Sequence, residues 1–278
     1  MRYGWLAAGI ALACALTCTV FAQKPFREYP AWEYNNFPLP KDYTVPGEWT
    51  FARLMYPSTH LHIDWQSEVK RGLDWREGNT NWTIDYPRSD RHLAMAIRRL
   101  TRIDGRSVEM PINVEADDDI FNYPWLYAVE VGHWELTDHQ IAKLREFFDR
   151  GGFFMCDDFH GSDEWNVFVA SFKKIFPERQ IVDIPNNDAI FHTVFDLNER
   201  YQVPGMQFTQ TGRIYEKDGV VPEFRAVYDD RGRIIAAICH NMDLGDSWEN
   251  ADEPTYPQKF SALGLRIGIN YIVYSMTH

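Results

Sequence analysis

The chain has 278 residues, 45% of them hydrophobic and 24% charged, with a formal net charge of −12 at pH 7. That length is enough for one large α/β domain with a sizeable core. The acidic balance argues against nucleic acid or anionic lipid as a partner, because both need a basic surface.

Residues 1–22 read as a signal peptide. Arg2 is the only charge before an apolar run from Leu6 to Leu16, and Val20-Phe21-Ala22 supplies the small residues of a cleavage site. The run is too short for a membrane span, so cleavage after Ala22, a periplasmic or secreted product and no stable membrane insertion are expected. Cys156 and Cys239 then remain, each near the end of an apolar strand, and read as buried thiols. Residues 23–50 are rich in proline and aromatics without periodicity, which predicts an extended arm. Residues 51–278 carry no linker or repeat and read as a single α/β domain.

Within that domain, Phe51 to Tyr56 is the first expected strand, and Asn81 to Asp85 a second, leading into Tyr86-Pro87. His60 to Asn81 gives no clear pattern. Ser89 is expected to cap a helix with Leu93, Ala96, Ile97 and Leu100 on one face. Trp125 to Val131 is another apolar strand, with Glu130 near its end. Thr137 and Gln140 have the spacing of a capping box, and Leu136 with Ile141 that of a hydrophobic staple.

The pivotal stretch is Gly151 to Trp165. Gly151-Gly152 suits a helix stop, and Phe153 to Cys156 a strand covered on both faces. Asp157, Asp158 and His160 follow at once, before Ser162 caps a second helix bearing Trp165, Phe168, Val169, Phe172 and Phe176. Gln180 to Ile184 is expected to return as a strand. Phe224 to Tyr228 and Arg233 to Cys239 read as a hairpin around Asp229-Asp230-Arg231-Gly232. A last helix spans about Tyr256 to Tyr274. Alternating strands and helices predict a three-layer fold, a mainly parallel sheet with helices on both faces and a β-hairpin addition.

Several runs carry a family resemblance: FNYPWLY (121–127), Gly151 to Trp165, QVPG (202–205), HNMDLGDSWE (240–249) and GINYIVYSMTH (268–278). The chain from Phe51 to His278 resembles the uncharacterised bacterial family catalogued as domain of unknown function 4159, for which no reaction is established. More distantly, Leu126 to His160 is similar to trehalose-utilisation-like and class I glutamine-amidotransferase-like proteins. That second resemblance implies a flavodoxin-like fold and nothing firmer.

Amidotransferase chemistry needs a cysteine at a sharp turn among small neighbours. Cys156 lies inside a strand between Met155 and Asp157, so it reads as structural. Asp157, Asp158, His160 and Glu164 form the strongest local cluster, at a strand exit where open sheets bind ligands. Crowded carboxylates there either raise one another's pKa or hold a hard cation; the alternative is that Asp157 or Asp158 caps backbone amides. Asp243 and Asp246, with His240, Asn241 and Glu249, follow another buried strand. They are of the kind found in loops that hold calcium or magnesium, or else an Asx-turn loop. The two clusters are expected to meet at the carboxyl edge of the sheet.

His192 and Arg200 could join the first cluster across that edge, or His192 could be a satisfied core residue. Trp165, with Trp75, Trp82 and Trp248, flanks polar loops and could stack on sugar rings, although most tryptophans serve cores. Glycine-rich phosphate loops, paired-cysteine zinc patterns and Gly-x-Ser-x-Gly are all missing from the sequence. The resulting expectation is an exported module that binds a small polar ligand, with a carbohydrate or an envelope protein as partner and a divalent metal ion admissible. The alternative is a carboxylate- and histidine-dependent, metal-assisted hydrolase.

Overall fold

The computed structural model describes residues 24–31, 37–58, 74–116 and 118–278. The expected signal peptide and most of the stretch from His60 to Asn81 lie outside the described residues. Seven strands form one sheet in the order β2-β1-β3-β4-β7-β6-β5. They are β1 (Ala52–Leu54), β2 (Met110–Ile112), β3 (Trp125–Val129), β4 (Phe153–Asp157), β5 (Val182–Asp183), β6 (Glu223–Tyr228) and β7 (Ile234–His240). From β2 to β7 all neighbours are parallel, whereas β6 runs against both β7 and β5. The helices are α1 (Arg88–Leu100), α2 (Asp138–Asp149), α3 (Gly161–Ile175), α4 (Phe208–Thr211), α5 (Leu244–Glu249) and α6 (Gln258–Thr277). None of the described helices is long and apolar enough to cross a membrane.

The apolar run of β4 divides its side chains between two cores, because successive residues of a strand face opposite ways. Phe153 and Met155 pack with Leu93 and Ile97 of α1, Trp248 of α5 and Ile267 of α6. Phe154 and Cys156 pack with Leu144 and Phe148 of α2 and Phe168 and Phe172 of α3. The protein is therefore α/β, a mostly parallel sheet between helical layers. Helix α2 begins where its capping box places it: the Thr137 hydroxyl accepts from Gln140 N, and the Gln140 side chain accepts from Thr137 N.

Three expectations about local structure are corrected, and one strand is new. Asn81 to Asp85 is not a strand but a 3-10 turn over Asn81–Thr83. The carbonyls of Trp82 and Ile84 accept from the buried Arg53 guanidinium instead of from a neighbouring strand. The expected strand Gln180 to Ile184 shrinks to Val182–Asp183, an exposed edge with one neighbour. Strand β2 has no counterpart in the sequence reading, and it carries Pro111. It is tolerated at the sheet's edge, where Met110 and Ile112 make the backbone bonds to β1 and no donor is required of Pro111. Finally, Leu244–Glu249 is a short helix rather than an open ligand loop, because Asp243 caps it by accepting from Asp246 N.

Chain order reverses between β1 and β3. The connections leaving β1, β3, β4 and β7 all emerge at the same carboxyl edge, where open sheets form crevices.

Candidate functional site

At that edge the backbone turns sharply. Asp85, Glu130, Asp158 and Asn241 all adopt left-handed backbone, with φ between 52° and 61°. Aspartate and asparagine tolerate this conformation; glutamate does so at a cost of about 1 kcal/mol. These turns lie in four separate connections at one edge, and those of Asp85 and Asp158 bring their carboxylates together there.

Asp157 and Asp158 separate there, as the end of the strand requires. Asp157 is spent on structure. Its Oδ1 accepts from the Tyr127 hydroxyl at 2.5 Å, and its Oδ2 accepts from Leu244 N at 2.5 Å and Gly245 N at 2.9 Å. It thus closes the amino end of α5, where a negative charge is favoured. Burial nevertheless pushes its pKa up to about 6.

Asp158 turns the other way. One oxygen each from Asp85, Asp158 and Asp243 lie within 4.8 Å of one another, and all three residues are buried. A second triad, Asp85, Asp246 and Glu249, shares Asp85 on the same scale. Burial and the neighbouring Glu130, Glu216, Asp157 and Asp246 push Asp158 well above the usual carboxylate range. Asp243 is raised likewise, by burial and by Asp158, Asp246 and Asp85. So many carboxylates cannot all ionise in a buried site without a counter-charge.

The two expected clusters therefore meet. His160 Nε2 lies 3.2 Å from Asp158 Oδ1, while its Nδ1 is buried without a hydrogen-bond partner. Burial pushes the imidazole down to about 4, so it is neutral at pH 7. Glu164 serves elsewhere: Oε2 accepts from His160 N at 2.5 Å, and Oε1 pairs with Lys217 and, at 2.7 Å, with His133. Asn241 Oδ1 and Asp218 Oδ1 accept from Gly161 N and Ser162 N, completing the cap of α3 that Ser162 was expected to provide. His133, between Glu130 and Glu164, is pushed up to about 10 by hydrogen bonds to both carboxylates, against the cost of burial.

Asp246 Oδ2 accepts from Met206 N at 2.5 Å, and its Oδ1 from Asn250. The QVPG run enters here. A side chain on Gly205 would collide with the carboxylates of Asp243 and Asp246. Likewise Gly245 gives room to Asp85, and Gly161 to the capping carboxylate of Asp218. The space at these glycines is taken by the protein's own acids rather than by open pocket.

His192 and Arg200 are not brought to this cluster. His192 bonds Asp196 and the Asn186 carbonyl, and Arg200 lies over the Phe191 ring with bonds to Leu197 and Asn186. Trp165 packs between Phe159 and His240, with the Arg225 guanidinium 4.1 Å over its ring. Trp82 and Trp248 are fully buried. Cys156 and Cys239 are free, buried thiols that burial pushes well above their ordinary pKa.

Sequence reasoning missed Asp85 and Glu130 as members of the edge cluster. Asp85 lay in an expected strand, and Glu130 drew notice only for its place at the end of β3. An Asp-Tyr-Pro run just before a helix was the available signal for the first. No curated protein matches the chain. The family model for "Domain of unknown function (DUF4159)" matches residues 68–276, which run from ahead of α1 into α6 with Asp85, Asp158 and Asp243 among them, and the chain belongs to that family.

Proposed function

We propose that this protein binds a small polar ligand at the carboxyl edge of its sheet through a divalent cation held by Asp85, Asp158 and Asp243. The observation that carries the reading is the buried triangle of three carboxylate oxygens within 4.8 Å. Oxygen-only ligation suits calcium or magnesium, and such ions keep coordination positions for outside oxygens. His160, neutral and with one ring nitrogen unpartnered, adds a polar group beside the same ion site. Left-handed Asp85, Glu130 and Asp158 support it too, since backbone of this kind gathers at functional sites.

The ligand class follows from the donors. A hard cation recruits hydroxyl or carboxylate oxygens, which suits a carbohydrate. Recognition through the ion is favoured over ring stacking, because Trp82 and Trp248 are buried and Trp165 is covered by Arg225. The order β2-β1-β3-β4-β7 of the parallel strands supports a flavodoxin-like class, to which amidotransferase-like proteins also conform. Burial of Cys156 within β4 argues against that family's nucleophile. Removal of residues 1–22 and action in the periplasm or outside the cell belong to the same proposal.

Calorimetric titration of the purified protein with calcium, magnesium and manganese tests the reading, followed by a sugar panel with the ion present. One-to-one binding that is abolished in Asp243→Asn is expected. Heats no different from buffer for every ion, with no effect of chelator on melting, would reject it.

A further inference from the structure

A different group stands out at the other end of the sheet. Arg106 precedes β2, and its residue is only 4% exposed. Its backbone N donates to Trp49 O, but among the described residues no group accepts from its side chain, and Nε and Nη1 are fully enclosed. The other buried arginines are handled differently. Arg53 bonds Asp90, Ser89 and two carbonyls. Arg91 bonds Glu109 through Nε and Nη2, and also Glu28. Glu109, an acid that acts on Arg106 through space, is thereby already engaged. Buried guanidinium without an acceptor is costly, because its charge and its donors both lose water. Burial accordingly pulls the Arg106 pKa down.

Beside Arg106 lies a cavity of about 470 Å³, walled by Lys24, Pro25, Phe26, Tyr43, Thr44 and Pro46. With Arg106 itself, the described lining contains two cations and no carboxylate. Lys24 sits at its rim, 3.5 Å from Asp119, a residue of the neighbouring hollow. Phe26 and Tyr43 meet edge to face at 5.8 Å and, with the two prolines, give the cavity an apolar side. The described part of the arm preceding β1 thus forms a roof over a guanidinium that none of the described residues satisfies. By contrast, a cavity of about 800 Å³ elsewhere on the amino-terminal edge includes Arg179 and Arg233, each already paired with Asp230 or Asp229.

We propose that this cavity is a binding site for an organic carboxylate, with Arg106 gripping the carboxylate and Phe26, Tyr43, Pro25 and Pro46 covering an apolar body. With Nε and Nη1 enclosed, the contact to the carboxylate falls to Nη2, a charge-assisted hydrogen bond of the stronger kind. The site is independent of the acidic edge, since Arg106 belongs to the opposite end of the strands.

The test is thermal melting of the purified protein with benzoate, acetate or inorganic phosphate, each against sodium chloride of equal ionic strength. Benzoate is expected to raise Tm by about 2–4 °C at saturation, more than acetate or phosphate. Arg106→Gln is expected to lose that rise while melting cooperatively on its own. Should that variant not fold, the Nε–Hε resonance of Arg106 in the wild-type protein decides, and it must shift saturably with benzoate. An equal rise in Arg106→Gln, an unmoved resonance, or no anion effect beyond chloride overturns the proposal. Phosphate outperforming benzoate would overturn the carboxylate assignment.

Discussion

Asp158→Asn is the most informative perturbation of the acidic edge. Asparagine keeps the shape and tolerates the left-handed backbone at this position, where φ is 52°. It removes one charge from three carboxylates whose oxygens lie within 4.8 Å. At that separation and an effective dielectric of about 20, each fully ionised pair repels by about 3.5 kcal/mol. Asp158 takes part in two of the three pairs. Protonation relieves part of this, at about 1.4 kcal/mol per pH unit between a carboxyl's pKa and the solution. In chelator at pH 8, Asp158→Asn should therefore be more stable than wild type, by about 1–4 kcal/mol after that relief. With millimolar calcium or magnesium the order should reverse, because only the wild type gains binding energy by mass action. Urea unfolding in both conditions measures the crossing. A variant less stable than wild type in chelator, with wild type indifferent to the ion, would refute both the repulsion and the cation site.

The two histidines should behave oppositely in nitrogen-15 NMR, with His160 neutral down to about pH 4 and His133 still an imidazolium at pH 8. Since the folded pKa of His133 lies above its ordinary 6.5, its stabilising contribution is complete below that value and is lost as pH rises toward 10. The stability gap between wild type and His133→Gln should shrink across that window, and two histidines titrating together near 6.5 would contradict the geometry. Asp90→Ala strands the fully buried Arg53 guanidinium and should cost about 3–5 kcal/mol in urea unfolding; a loss under about 1 kcal/mol would show the pair to be dispensable. Gly245→Ala should abolish cation binding although alanine favours helices, because its methyl group displaces the Asp85 carboxylate; unchanged binding would remove Asp85 from the site. Cys156 and Cys239 should resist thiol reagents until the protein unfolds, and fast labelling of Cys156 in the native state would reopen a catalytic role.

The sequence alone determined the elements whose signals are local. The capping box of Thr137 and Gln140, the doubled glycine after α2 and the run Phe153 to Cys156 specify a helix, its end and a strand by short-range bonds and burial. The turn Asp229 to Gly232 specifies the hairpin in the same way. Strand exits rich in acids then marked the sheet edge, since uncompensated carboxylates are out of place beside a buried strand. Only the tertiary structure decided what each acid does. Asp157 and Asp158 are neighbours in the chain, yet one ties down the start of α5 and the other faces Asp85 and Asp243, because a single left-handed residue redirects the backbone between them. Asp85 entered the site through packing of the β1–α1 connection, which no periodicity records. His192 and Arg200 left it because Asn186, Asp196 and the Phe191 ring, all on their own side of the sheet, satisfy them first. Arg106 likewise looks like any surface arginine in the sequence. That it is enclosed with no acceptor among the described residues depends on the arm folding back beside it, a contact between segments some sixty to eighty residues apart. Local sequence sets local hydrogen bonding; which charges end up buried together depends on distant segments excluding the same water.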